Sequence, residues 1–210
     1  MGLPVLILGE SGSGKTTSLR HFKQDEVGII SVVGKPLPFK SDLKTCNLNR
    51  EAKKRNENRY TLLKKIIKTS DKNTIVIDDS QYLLSFDSFD KAKIKGYDKF
   101  IDLAVDFEKF LEFCIDEVPD DKIIYFLHHT ETTDAGKTKL KTIGKMLDQQ
   151  LTVEGLFSIV LLCKARKQEH VFVTQNEGNS TAKSPMEMFE LEIDNDLKFV
   201  DKTIREYYGM

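Results

Sequence analysis

Short apolar runs alternate with longer amphipathic stretches along this 210-residue chain. Residues 3–8 (LPVLIL) are continuously apolar up to Gly9, the pattern of a strand buried on both faces. A helix is expected to start near Lys15. Residues 27–33 (VGIISVV) form a second β-branched run, closed by the turn-prone Gly34-Lys35-Pro36. Residues 52–69 place Tyr60, Leu63, Ile66 and Ile67 at helical spacing among Lys and Arg, which predicts one amphipathic helix with a basic outer face. Residues 74–78 read as a third buried strand. Residues 97–118 read as a long helix with Phe100, Ala104, Phe107, Leu111 and Cys114 on its apolar side, stopped by Pro119. A fourth strand follows at 122–128 (KIIYFLH), and the polar stretch 129–144 is too poor in apolar residues to be a packed element. The β-rich runs 157–163 and 170–174 flank a charged turn and predict a terminal hairpin, with a short helix near 198–208. Strands alternating with helices define an α/β fold. The expectation is a mostly parallel sheet with helices on both faces, a C-terminal β-hairpin, and ligands at the carboxyl ends of the strands. The length suits a single domain over residues 1–210.

The chemistry-bearing segments fall at those strand ends. GESGSGKT at residues 9–16 matches G-x-x-x-x-G-K-[ST] between an expected strand and an expected helix, the context that separates a phosphate loop from a chance Gly-Ser turn. Glycines let successive N–H groups curl inward toward phosphate oxygens, and a new helix would add its positive dipole end. Gly9, Glu10, Ser11, Gly12, Ser13, Gly14, Lys15, Thr16 and the adjoining Thr17 are thus candidate ATP contacts. Lys15 would face the β and γ phosphates, and Thr16 would offer its hydroxyl to Mg²⁺. The second Mg²⁺ ligand is expected from TIVIDD (74–79), where Asp78 ends a β-branched strand in the manner of a Walker B segment. Asp79 either polarises water or caps a helix starting at Ser80. His129 and Thr130 lie where phosphate-loop ATPases of the additional-strand type carry a sensor of the γ phosphate, although His128 and His129 also read as ordinary strand-end histidines. Adjacent strand residues face opposite ways, which argues against a metal shared by the two.

Composition narrows the class without changing this picture. Apolar residues make up 40% and charged residues 31%, as in a soluble globular protein. The start, MGLPVLILGE, is too short in apolar residues for a signal peptide or a bilayer span, so no membrane association is expected. Cys46, Cys114 and Cys163 show no paired spacing, which suits a reducing cytoplasm. Net charge is −1, yet residues 35–68 hold eleven Lys and Arg against three acids, and residues 187–210 hold seven acids against three bases. A locally basic face is compatible with that imbalance.

Five segments together, GESGSGKTTSLR, VIDDSQYLL, FLHHTE, KTIGKMLDQQ and TAKSPMEMF, resemble the short RecA-core ATPases of bacteriophages that are related to RadA and associated with single-strand annealing recombination. The resemblance implies a RecA-like core, single-stranded DNA as ligand, a homo-oligomer, cooperation with a single-stranded DNA binding protein, and residence in the bacterial host's cytoplasm. RecA-type enzymes carry a catalytic Glu after the second strand. Residues 32–37 (VVGKPL) contain no acid, which leaves Asp79 and Glu10 as candidates for handling the attacking water. With no obvious cation in cis beyond Lys15, Arg166 or Lys183 is expected to reach a neighbouring subunit's γ phosphate. Lys137, Lys139, Lys141 and Lys145, in an acid-free segment after the sensor strand, are expected on the DNA backbone, with the helix around Lys53, Lys54 and Arg55 as the other choice. An AAA+-like helicase loader or replication initiator would share the loop and acid strand but add a helical lid. A small-molecule kinase would need an arginine-rich lid, and residues 129–145 hold no arginine.

Overall fold

The computed structural model describes residues 1–93, 95–96, 98–143, 147, 151–167 and 169–210. Its strands are β1 (Leu3–Gly9), β2 (Val27–Ser31), β3 (Thr45–Asn47), β4 (Thr74–Asp78), β5 (Ile123–Thr132), β6 (Thr138–Leu140), β7 (Ile159–Arg166), β8 (Glu169–Val173) and β9 (Glu192–Asp194). The helices are α1 (Leu48–Arg55), α2 (Arg59–Thr69), α3 (Gln81–Asp90), α4 (Asp98–Asp116) and α5 (Leu197–Tyr208). One mixed sheet runs β3-β2-β4-β5-β1-β7-β8-β9, and β6 pairs with the far end of β5. Pairing is parallel from β3 across to β7 and antiparallel through β7, β8 and β9.

Alternate residues of the central strands feed two separate cores, as burial on both faces requires. Leu6, Leu8, Ile75, Ile77, Ile124 and Phe126 pack with Leu63, Leu83, Phe107 and Phe110 of α2, α3 and α4. Val5, Ile7, Val76, Tyr125 and Leu127 pack on the other face with Leu19, Val200 and Ile204, the last two from α5. Helices therefore cover both faces, and no described helix is long and apolar enough to cross a membrane.

Four local expectations need correction. The helix expected from Lys15 is only a four-residue 3-10 turn, Thr16–Leu19, so the loop opens no α-helical macrodipole. The helix expected over 52–69 is broken in two. Asn56 adopts a left-handed φ of 51° and closes α1, and the Asn58 side chain accepts from the N–H groups of Tyr60 and Thr61 to open α2. Residues 129–140 are not a loop, because β5 continues to Thr132 and folds back on β6 with Thr130 opposite Leu140 and Thr132 opposite Thr138. Gly136, at φ 76°, makes that turn, and Leu140 is the buried anchor of an otherwise polar ribbon. The terminal hairpin forms as β7 and β8, but β9 adds a third antiparallel strand. The long helix expected from residue 97 is present as α4; its first expected residue, Tyr97, lies outside the described residues.

Candidate functional site

β1 delivers Gly9 to the carboxyl edge of the sheet, where the chain turns back over the strand ends. Gly12 and Gly14 take φ values of 80° and 102°, which side-chain-bearing residues rarely adopt. Gly14 also leaves no room for a side chain, since a Cβ there would sit 2.7 Å from Cγ of His170. A second support lies beneath the loop. The Cys163 thiol donates to the Ser13 carbonyl at 3.0 Å and accepts from Asn195 Nδ2 at 3.2 Å. Burial pushes that thiol up to about 11, so the sulfur stays protonated and keeps its donor role. Lys15 is itself buried, and its Nζ donates to the carbonyls of Gly9 at 2.7 Å and Glu10 at 2.8 Å. Burial lowers its pKa, while Cys163, Asp79 and Asp78 act in the opposite direction.

β5 lies between β1 and β4, so the loop and the tip of β4 meet across one intervening strand. There Thr16 Oγ1 donates to Asp78 Oδ1 at 2.9 Å, joining two residues 62 apart in sequence. Burial raises the Asp78 carboxyl pKa, helped by the neighbouring Asp79 charge. A hydroxyl and a carboxylate converging beside the glycine-rich loop form an all-oxygen donor pair of the kind Mg²⁺ takes. Among the described residues no three His, Cys, Asp or Glu side chains cluster in a way that could hold a metal ion.

Asp79 adopts a left-handed φ of 59°, a strain that residues of its type tolerate at functional positions. Its carboxylate does not cap the following helix. It accepts from Lys35 Nζ at 2.8 Å and from His129 Nε2 at 3.3 Å. Burial pushes the Asp79 carboxyl up, but the bonds from His129 and Lys35 outweigh that and hold it below its ordinary value. Lys35 also sits 5.4 Å from the centre of the Tyr82 ring, and the edge-on His129 ring lies 6.1 Å from the same ring. A cleft of about 220 Å³ joins Gly12, Gly14, Lys15, Thr16, Thr17, Asp78 and Asp79 to Lys35 and His129. A scan against protein-family models matches none, and a search of curated proteins finds no match. The functional reading rests on this geometry.

The two histidines separate as the strand pleat requires. His128 is fully buried and its Nε2 donates to the Lys141 carbonyl at 2.9 Å, so its other nitrogen accepts from the Ser80 hydroxyl, also at 2.9 Å. Glu10 is exposed; it lines a recess next to the cleft rather than the cleft itself. Arg166 pairs with Glu192 on β9, and the Lys183 backbone bridges to Val160 of β7; neither residue lines the cleft. Lys137 and Lys141 are exposed on or beside the β5-β6 ribbon, whereas Lys139 pairs with Glu131 across it at 3.0 Å. The acid-free segment 136–145 thus meets an acid from β5 through strand pairing. Lys145 lies outside the described residues, and Lys53, Lys54 and Arg55 are exposed on α1.

A cation of the cleft that sequence reasoning missed is Lys35, which lines it against Asp79. Its signal is the turn Gly34-Lys35-Pro36 just past the carboxyl end of β2. A larger groove of about 840 Å³ runs past Thr74, Asp201 and Arg205 at the opposite end of the strands. There Asp201 already accepts from Thr74, Tyr125 and Arg205, and its charge is satisfied internally.

Proposed function

We propose that this protein is a Mg²⁺-dependent ATPase with a RecA-like phosphate-loop core that acts on single-stranded DNA in recombination or replication, assisting annealing or binding DNA in an ATP-modulated way. The observation that carries the reading is the 2.9 Å contact between Thr16 and Asp78 at the mouth of the loop. Placement of β5 between the loop strand and the acid strand supports the additional-strand class of phosphate-loop ATPase. Thr16 and Asp78 would hold Mg²⁺, which would neutralise phosphate charge there. Lys15 and the loop N–H groups bind and orient the polyphosphate.

In hydrolysis a water oxygen bonds to the γ phosphorus while the bond to the bridging oxygen breaks, its electron pair leaving on ADP. One water proton stays on the released phosphate and the other passes to solvent. Asp79, with a lowered pKa, suits orienting that water better than taking its proton, and His129 fixes the carboxylate. Exposed Lys137 and Lys141 suit a phosphate backbone. Self-association, with Arg166 or Lys183 reaching a neighbouring subunit, and cooperation with a single-stranded DNA binding protein belong to the same reading. A strand and a helix, β9 and α5, pack onto the sheet after β8, which favours this core over an AAA+ loader with a helical lid.

The test is ATP turnover with and without single-stranded DNA for the parent and Lys15→Ala. DNA-stimulated turnover in the parent, abolished in the variant, is expected. Equal turnover in both proteins overturns the loop assignment. Phosphate transfer to nucleosides without DNA stimulation would replace the proposal with a kinase.

A further inference from the structure

We infer that Lys35 is a catalytic cation supplied in cis, whose ammonium binds the terminal phosphoryl oxygens as the γ phosphate is displaced. This rests on the ATPase reading above and assigns it a residue outside the phosphate loop and the Walker B segment. The position of Lys35 follows from the sheet. Ser31 at the end of β2 pairs with Asp78 at the end of β4, and the Val32 N–H donates to the Asp78 carbonyl at 3.0 Å. The chain therefore leaves β2 directly beside the acid tip.

A short, stiff loop then turns Lys35 into the cleft. The Gly34 N–H donates to Ser31 Oγ at 2.9 Å, and its φ of 83° is open to glycine. A Cβ at Gly34 would fall 1.7 Å from Asn47 Nδ2, so a side chain there would displace the Asn47 amide that caps α1. Pro36 follows directly and fixes its own φ. From this base the Lys35 ammonium reaches Asp79 at 2.8 Å, the side chain lines the cleft, and 56% of it remains exposed. An ammonium has three donors, so the Asp79 contact leaves others for a ligand.

Charge makes the same point. Among the Lys and Asp side chains of the cleft, before any ion binds, removal of Lys35 would leave Asp78 and Asp79 against Lys15. Once Mg²⁺ takes up Asp78, the Asp79 carboxylate would then face the polyphosphate without its cation. Lys35 restores the balance, and its nearness to Lys15 contributes to the lowering of the Lys15 pKa. Asp79 is then a holder of the cation as well as an orienter of water. Lys35 keeps its proton throughout; it stabilises the charge that builds on the phosphoryl oxygens as the bond to ADP breaks.

Lys35→Ala and the isosteric Lys35→Gln test this, with Lys35→Arg as the charge-preserving control. Turnover in both neutral variants is expected to fall by about a hundredfold to a thousandfold. ADP affinity should stay within about threefold of the parent, because the γ phosphate is the group contacted. ADP with aluminium fluoride should bind the parent more tightly than the neutral variants, and Lys35→Arg should recover about tenfold or more in rate. Parent-like turnover in folded Lys35→Gln, or losses in ADP affinity as large as those in turnover, overturns the role of Lys35 while leaving the ATPase reading in place. A parent that neither binds nor hydrolyses Mg·ATP overturns both.

Discussion

Acidification should destabilise this protein through His128, a histidine that cannot accept a second proton where it sits. The ring is fully buried against Phe107, and its Nε2 must carry the single proton because its partner, the Lys141 carbonyl, only accepts. Burial depresses its pKa from the ordinary value to about 3. The unfolded chain therefore takes up a proton below about pH 6.5 that the folded protein refuses, and folded stability present above that pH is lost as the pH falls. Each pH unit in that window costs about 1.4 kcal/mol, so descent from pH 7 to pH 5 removes about 2 kcal/mol through this residue. In a chain of this length that corresponds to about 4–8 °C in melting temperature. The comparison is His128→Gln, whose amide can still donate to Lys141 and accept from Ser80 but does not titrate. Other histidines and the carboxylates are common to both proteins and cancel in the difference. Thermal melts at pH 7 and pH 5 should show the parent losing those additional degrees. Equal losses in the two proteins, or an NMR titration placing the His128 ring near 6.5, would refute the reasoning.

Asp78→Asn should leave the fold intact or stabilise it by about 1 kcal/mol, since it removes a buried charge that faces Asp79 while keeping an acceptor for Thr16. Mg²⁺-dependent turnover should nonetheless fall by about a hundredfold or more, read beside melting curves of the same sample. Gly12→Ala, which meets open space, should cost only the backbone penalty of about 1–2 kcal/mol. Gly14→Ala should cost more because its Cβ strikes the His170 ring, and His170→Ala should restore part of that loss; equal melting temperatures for the two alanine variants would contradict the contact. For single-stranded DNA measured across a salt series with a non-hydrolysable ATP analogue, Lys137→Ala and Lys141→Ala should each lower the salt slope by about 0.7, and Lys139→Ala by less because Glu131 already pairs with it.

What was legible in the sequence was what the chain encodes locally. The β-branched run at 74–78 and the helical period through Phe107, Leu111 and Cys114 each declare themselves within a few residues, and the structure has both. The glycine and lysine spacing of residues 9–16 and the acid of TIVIDD were equally local, and the fold brings them to hydrogen-bond distance. The break at Asn56 to Asn58 had local signals too, a left-handed residue and a cap, but apolar positions on both sides kept the helical period running through it. The β5-β6 ribbon escaped notice because its residues are mostly polar and solvent-facing, and Leu140 alone supplies a buried anchor. Contacts such as His170 against Gly14 and Asn195 on Cys163 join distant segments through the sheet, so no window of sequence contains both partners.

If the cleft holds nucleotide as proposed, the same long-range pairing offers a route from it to the lysine ribbon. Both backbone polar groups of Lys141 are held by the two histidines at the end of β5: its N–H donates to the His129 carbonyl at 3.0 Å, and its carbonyl accepts from His128 at 2.9 Å. His129 in turn reaches Asp79, which holds Lys35. A γ phosphate that drew Lys35 away from Asp79 would leave His129 as the one remaining side-chain donor to that carboxylate among the described contacts. The strand end bearing His129 follows either by carrying Lys141 with it or by breaking the bond between the His129 carbonyl and the Lys141 N–H and straining the one at His128. A buried bond left unmade costs about 1–3 kcal/mol, so moving as a unit is the cheaper course. On this reasoning the ribbon's response to nucleotide depends on His128 as well as on His129. His128→Phe, which removes the side-chain donor but leaves the bond from the Lys141 N–H to the His129 carbonyl, should therefore weaken the coupling of DNA affinity to nucleotide while sparing turnover, and unchanged coupling in that variant would exclude a part for His128 in this route.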